Sequence, residues 1–217
     1  MTEQDGDARR LRRDAVRNQQ LIVDAAWQVV SEFGTNASME LIASRAGVGV
    51  GTVYRRFPSK EALVDELIRL VHGEHIEAAQ LALARGDGSG MERFLRVLGS
   101  SLGEHRGFGE KLVSRSNAAH ADQLRSLVGA LLGQAQERGR VRPDITLGDV
   151  MTTVWAIRGI ITTSGSVAPH AWQRHLDLQL AGMRSTTSPS DRPGVTTEEL
   201  GRISGANRDP DTDTPSC

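Results

Sequence analysis

Apolar residues recur every three to four positions along most of the chain, the spacing of a single buried helix face. Alternating apolar and polar runs, typical of strands, are scarce, so the pattern predicts an all-α fold. The first helix is expected over residues 14–33. Its apolar face comprises Ile22, Ala25, Ala26, Val29, Val30 and Phe33.

Capping residues delimit the next three helices. Ser38 is a candidate N-cap for a helix over residues 39–46, because its hydroxyl can accept a bond from a free backbone N–H of the first turn. A short helix is expected over residues 50–56. Ser59 then opens a long helix that runs towards Ala84.

The second half of the chain predicts four more helices. Two of them begin at capping boxes, Ser89 with Glu92 and Thr146 with Asp149. An amphipathic helix ends near Gly139, and a last helix covers about residues 169–183. Glycines interrupt the segment 106–117, which receives no assignment.

Composition limits the class of protein. The chain has 217 residues, a net charge of -1 and one cysteine, Cys217, which excludes a disulfide framework. No apolar run reaches the 18 to 20 residues that a membrane helix needs. We therefore expect a cytoplasmic protein with no membrane partner.

The near-neutral total conceals a basic N-terminal part. Between residues 8 and 60, nine basic residues face four acidic ones, a net charge of +5. This asymmetry favours a polyanionic partner, although a solvated helix face would look the same.

The helix over residues 50–56 carries the candidate chemistry. Val53 and Phe57 are four positions apart and are expected to face the core. Hydroxyl, phenol and guanidinium groups on the other flanks suit contacts with phosphates and base edges. A helix of this size after a tight glycine turn is typical of a helix-turn-helix unit.

At these residues the sequence resembles the DNA-binding domain of TetR-family transcriptional repressors. The resemblance covers about residues 17–64 and is most specific in the run Gly-Thr-Val-Tyr-Arg-Arg-Phe-Pro-Ser-Lys at 51–60. It implies phosphate contacts for Ser38, Thr52, Tyr54 and Lys60. It also implies base contacts at or near Val50, Gly51 and Arg55, and either kind of contact for Arg56.

The resemblance also implies a domain organisation. A flexible arm (1–12) and a helix-turn-helix domain (13–58) precede a helical ligand-binding and dimerisation domain (59–184). Residues 185–217 are rich in Ser, Thr, Pro, Gly and Asp and are expected to be disordered.

Family members of this kind bind a near-palindromic DNA operator as homodimers and are released by a small-molecule effector. The resemblance implies no enzymatic activity and no cofactor, and places the dimer contact in the last two helices. The helix over residues 147–161 is more apolar than one buried face requires, which favours the dimer, but it would also suit a monomer's core. The alternatives are an α-helical carrier or enzyme with an incidentally basic N-terminus, and an activator or a regulator without a ligand.

Other polar residues are weaker candidates. His105, His120, Trp155 and Arg158 lie on helices that would line an effector pocket, although core packing suits Trp155 and an ion pair suits Arg158. His72 and His75 are three positions apart and could hold a metal ion. No third ligand is evident, so we expect no metal site.

Overall fold

The computed structural model describes residues 3–34, 36–106, 118–184, 188 and 190–206, and these residues form α-helices and no β-strand. The predicted all-α class is confirmed. The helices are α1 (Glu3–Phe33), α2 (Met39–Ala46), α3 (Val50–Arg56), α4 (Lys60–Ala84), α5 (Gly90–Glu104), α6 (Ala118–Glu137), α7 (Leu147–Ser164), α8 (Ala171–Met183) and α9 (Thr197–Ala206). Most of the predicted segment 106–117, and residues 207–217, lie outside the described residues.

The chain divides into two compact units, Met1–Ile68 and Arg69–Cys217. The division falls inside α4, whereas the sequence prediction placed a domain boundary between residues 58 and 59. The first two turns of α4 belong to the same compact unit as the helix-turn-helix element. Leu63, Val64 and Leu67 of these turns are buried.

Helix α1 ends at Phe33 as predicted but differs from its prediction in its start and in the exposure of Phe33. It begins at Glu3 instead of residue 14, so the flexible arm predicted for residues 1–12 is wrong from residue 3 onward. The segment is polar but rich in arginine, a good helix former, and extending an existing helix is easier than starting one. Phe33, predicted on the buried face, is 57% exposed, while the other five residues of that face are buried.

The short helices α2 and α3 have the predicted bounds. The Leu41 backbone N–H donates to the Ser38 hydroxyl at 3.2 Å, which confirms the predicted N-cap. Gly47 ends α2 in the left-handed conformation at φ 67°, a conformation that glycine adopts without strain. The two helices and the turn between them form the expected helix-turn-helix unit.

The second unit has one continuous apolar core between α5, α6, α7 and α8. Its largest buried side chains include Phe94 and Leu95 of α5, Leu131 of α6 and Leu176 of α8. Trp172 packs against Gly99, where an added Cβ would lie 2.3 Å from the indole ring.

One of the two predicted capping boxes is present. Thr146 and Asp149 cap α7 reciprocally, as predicted. Ser89 makes no side-chain cap to α5, so that prediction is wrong. Its backbone N–H and its hydroxyl both donate to Asp87 Oδ1, at 2.9 and 2.6 Å, and this turn competes with the cap.

The predicted disorder of residues 185–217 is wrong for residues 197–206, which form α9. Thr196 and Glu199 form a capping box at its start, and Leu200 is buried. Composition misled the prediction because this segment packs against α7 and does not have to fold alone. No helix among the described residues is long and apolar enough to cross a membrane.

Candidate nucleic-acid interface

Helix α3 rests on two apolar side chains and turns its polar residues outward. Val53 is fully buried and Phe57 nearly so, as the sequence predicted. Tyr54 is 44% exposed and Val50 is 41% exposed. Gly51, Arg55 and Arg56 are also exposed, and Thr52 is half-buried. A seven-residue helix thus presents a phenol, a hydroxyl and two guanidinium groups to solvent.

Three of the predicted contact residues touch each other. Arg55 Nε donates to the Gly51 carbonyl at 3.2 Å, and its Nη2 donates to the Thr52 hydroxyl at 3.2 Å. The guanidinium therefore lies along α3 towards the N-terminal end of the helix. No atom of the described residues lies within 4 Å of a Cβ built at Gly49 or Gly51, so backbone is accessible at this end.

Arg56 points elsewhere. Its Nη2 donates to Gln19 Oε1 of α1 at 2.5 Å, and its guanidinium carbon lies 5.8 Å from the centre of the Phe57 ring. Sequence reasoning missed Gln19, because nothing local links a polar residue of α1 to a helix 37 positions later. This contact ties the C-terminal end of α3 to α1.

The remaining two predicted contacts lie at the starts of other helices. Ser38 is exposed at the start of α2, and its hydroxyl already accepts the capping bond. Lys60 is half-buried at the first position of α4. Neither makes a hydrogen bond to an α3 side chain within the described part of the chain.

Arg45 contributes to the basic count, but its guanidinium is paired with a carboxylate of the same unit. It forms two parallel bonds with Glu32 of α1, both of 3.0 Å. The hydrogen bonds from Arg45 lower the pKa of Glu32 below its usual value. This pair fastens α2 to α1, so Arg45 is not among the cations that remain for a ligand.

Two family models match this chain, one over each compact unit for the most part. Residues 22–67 match the model of bacterial regulatory proteins of the tetR family, and residues 87–185 match the C-terminal domain of SbtR-like transcriptional regulators. The TetR transcriptional regulator SCO0520 from Streptomyces coelicolor is 30% identical, with a TM-score of 0.60 over 77% of this chain and 99% of that one. The chain belongs to the TetR family of transcriptional regulators.

Two further relatives of this TetR-family regulator agree. The TetR transcription regulatory protein from Mycobacterium vanbaalenii is 29% identical, with a TM-score of 0.58 over 80% of this chain and 99% of that one. The HTH-type transcriptional regulator SAB2452 of Staphylococcus aureus is 43% identical over 54 residues, 24% of this chain and 29% of that protein. The match to curated relatives such as this one thus spans about a third of their length or less. The family is non-enzymatic, as the sequence predicted.

In the second unit, the structure brings two of the four predicted effector residues into one histidine cluster, which we define as His72, His75, His105 and His120. His75 Nε2 lies 2.8 Å from the hydroxyl of Ser101, and the His105 Nδ1–H donates to the Ser101 carbonyl at 2.8 Å. The rings of His72 and His120 have centroids 6.2 Å apart.

Burial lowers the pKa of His75 to about 4, with further lowering by the charges of His72 and His105. His75 is therefore a neutral imidazole at physiological pH. Among the described residues, no group of three or more His, Cys, Asp or Glu side chains is placed to hold a metal ion.

The other two predicted effector residues are not brought into this cluster. Trp155 and Arg158 are half-buried on α7, and neither makes a hydrogen bond or a ring contact with the histidine cluster in the described ranges. A separate cleft of about 300 Å³ lies between the start of α5 and the ends of α6 and α8. Its lining combines apolar side chains, such as Met91, Val141 and Leu180, with charged and polar ones, and includes none of the four predicted residues.

Proposed function

We propose that this TetR-family chain is a transcriptional repressor that binds a near-palindromic DNA operator as a homodimer and is released by a small-molecule effector. One observation carries the proposal. Helix α3 exposes Tyr54, Arg55 and the edge of Thr52 above the buried Val53, as a helix that enters a major groove requires.

We assign the contacts by the chemistry of each side chain. The hydroxyls of Thr52 and Tyr54 and the ammonium of Lys60 suit phosphates, and Ser38 suits a phosphate at the start of α2. Arg55 suits the O6 and N7 atoms of a guanine, which requires it to leave its bonds to Gly51 and Thr52. Val50 and Gly51 would lie against base edges. Arg56, already bonded to Gln19, has the smaller contact role.

The homodimer is proposed through α7 and α8. Leu178 of α8 is 55% exposed, and Trp155 of α7 is half-buried, so both helices offer apolar surface beyond the unit's own core. Two copies of a basic DNA-binding unit would give a strong salt dependence, because each neutralised phosphate releases a counterion.

For the effector we propose the histidine cluster as the polar part of the site. His75 is 5% exposed and neutral, so it can exchange a hydrogen bond with an uncharged polar ligand group at no cost in ionisation. A ligand that binds one arrangement of the second unit better than the other shifts the population away from the DNA-binding form.

The test is fluorescence anisotropy with DNA from upstream of the chain's own gene, at two salt concentrations. We expect a nanomolar to sub-micromolar Kd that weakens steeply with salt. A chain that binds this DNA no better than random duplex at both salt concentrations would refute the repressor and would favour a carrier. A transcription reporter separates repression from activation.

Variants then test the assigned residues. Arg55→Ala should cost about 1–3 kcal/mol and relax the preference at one base pair of each half-site. Tyr54→Ala should weaken specific and random DNA alike. Arg85→Ala, which removes an exposed arginine from the second unit, is the matched charge control and should leave the Kd unchanged. Equal losses on both DNAs for Arg55→Ala would make Arg55 a phosphate contact.

A further inference from the structure

The described residues beyond Arg184, which are Ser188 and residues 190–206, pack against the α6–α7 loop and α7. Neither family match includes them, because the second match ends at residue 185. The guanidinium of Arg142 donates to the Ser188 carbonyl. Gly194 and Val195 lie against the start of α7. Leu200 of α9 is 1% exposed. The extension thus makes close contacts at three separate places, at Ser188, at Gly194 with Val195, and at Leu200.

Two glycines permit the closest of these contacts. A Cβ at Gly148, in the first turn of α7, would lie 1.9 Å from the Val195 carbonyl oxygen. A Cβ at Gly194 would lie 2.7 Å from Thr146 Oγ1 and 2.9 Å from Asp149 Oδ1. Neither glycine has a positive φ, so close approach and not backbone conformation excludes a side chain. Glycine destabilises a helix relative to alanine, so the close contact with Val195, and not helix propensity, accounts for Gly148 in α7.

The extension also has its own helix start. The Thr196 backbone N–H donates to Glu199 Oε2 at 2.8 Å, and the Glu199 N–H donates back to the Thr196 hydroxyl at 3.2 Å. The start of α7 carries the same kind of box, formed by Thr146 and Asp149. Gly194 therefore lies between the two capped helix starts. It is next to Thr146 and Asp149 at the start of α7, and it is two residues before Thr196 at the start of α9.

The loop between α6 and α7 is held from both sides. Gln136 of α6 donates its amide to the carbonyls of Arg142 and Ile145, at 3.0 and 2.9 Å. From the other side, the Arg142 guanidinium, itself buried, bridges the Asp144 carboxylate and the Ser188 carbonyl. A buried guanidinium that lost one acceptor would be left with unsatisfied donors.

We propose that Ser188 and residues 190–206 form a strap that locks the α6–α7 loop and the start of α7. Release of this strap is a means of regulating α7 which the two family domains do not supply. The docking site is the start of α7, and its occupant is the chain's own segment. Because α7 is one of the helices that we propose for the dimer, dimer strength should depend on the strap; this consequence rests on the proposed function.

The strap is tested in the full chain. Leu200→Asp places a charge in a buried position and should undock α9. Gly201→Asp places the same charge at the next, exposed position and should leave α9 docked. Hydrogen exchange should show protected amides over residues 200–203 in the parent and in Gly201→Asp, and rapid exchange in Leu200→Asp. Rapid exchange in the parent would overturn the strap.

A second substitution gives the sharper result. In the parent chain Gly148→Ala should lower Tm, because its Cβ collides with the Val195 carbonyl. In the Leu200→Asp background the same change should leave Tm unchanged or raise it, because alanine is the better helix residue once the strap has left. An equal decrease in both backgrounds would show that the collision does not involve a docked strap.

Sedimentation equilibrium tests the coupling to assembly. Leu200→Asp should raise the dimer Kd by about tenfold, and Gly201→Asp should leave it unchanged. An equally tight dimer in all three chains would overturn the coupling. A monomeric parent would overturn the proposed dimer and with it the coupling, while the exchange and melting results would still decide the strap.

Discussion

Acidification should destabilise the second unit through one buried imidazole, His75. This side chain is 5% exposed and lies against Ser101 of α5. Burial lowers its pKa to about 4, with His72 and His105 as the charged neighbours that lower it further. In the unfolded chain the same group titrates near 6.5. The unfolded state therefore binds more protons between these two values, and stability falls as pH falls through this window.

The size of the effect follows from the two pKa values. At pH 7.5 both states are neutral at His75 and the contribution is close to zero. At pH 5.0 the unfolded state is protonated while the folded state is not, which costs about 2 kcal/mol. Below both values the loss levels off at about 3 kcal/mol.

Urea denaturation at pH 7.5 and pH 5.0, followed by circular dichroism, measures this loss. Other groups also titrate, so the quantity of interest is the difference between the parent and His75→Gln. The parent should lose about 2 kcal/mol more than the variant on acidification. His170→Gln, at an exposed histidine, should behave like the parent. If the parent and His75→Gln lose equal stability, His75 is not held neutral by the fold.

Four further substitutions test packing, capping and the support of α3, each followed by thermal denaturation. Gly99→Ala should destabilise by about 1–3 kcal/mol, because its Cβ would lie 2.3 Å from the buried ring of Trp172. Gly73→Ala, at an exposed position of α4 where no described residue lies within 4 Å of the added Cβ, should stabilise by about 0.5–1 kcal/mol. The opposite order of the two glycine variants would contradict the packing argument. Thr146→Ala removes the N-cap of α7 and should cost about 1 kcal/mol, and no change in Tm would mean that the cap contributes nothing. Val53→Ala removes two methyl groups from a fully buried site and should lower the free energy of unfolding by about 1.5 kcal/mol. It should also weaken DNA binding, because α3 rests on this side chain. Unchanged DNA affinity would contradict this role of Val53.

Local sequence signals predicted the bounds of a helix correctly where residues at its own ends determine them. The bounds of α2 follow from the Ser38 cap and the left-handed Gly47, and the inward position of Val53 in α3 follows from helical spacing. Helical spacing also identified which side chains of α3 face outward. The capping prediction failed at Ser89, because its hydroxyl donates a hydrogen bond to the neighbouring Asp87 and does not cap α5.

Distant pairs were beyond this kind of reasoning. Arg56 and Gln19 are 37 positions apart, and His75 and Ser101 are 26 apart, so no spacing along the chain could pair them. Those contacts changed two assignments: Arg56 is committed to α1, and the predicted effector residues separate into two that join the histidine cluster and two that do not.

The sequence by itself determined the helical class, the bounds of the helix-turn-helix and its outward-facing residues, because hydrophobic period and capping are properties of neighbouring residues. Tertiary structure alone decided the fate of the C-terminal extension. Its composition cannot support a core, but Leu200 is buried because α7 supplies the apolar surface that the segment lacks. Whether a segment folds depends on what it packs against, and that partner is not recorded in its own residues.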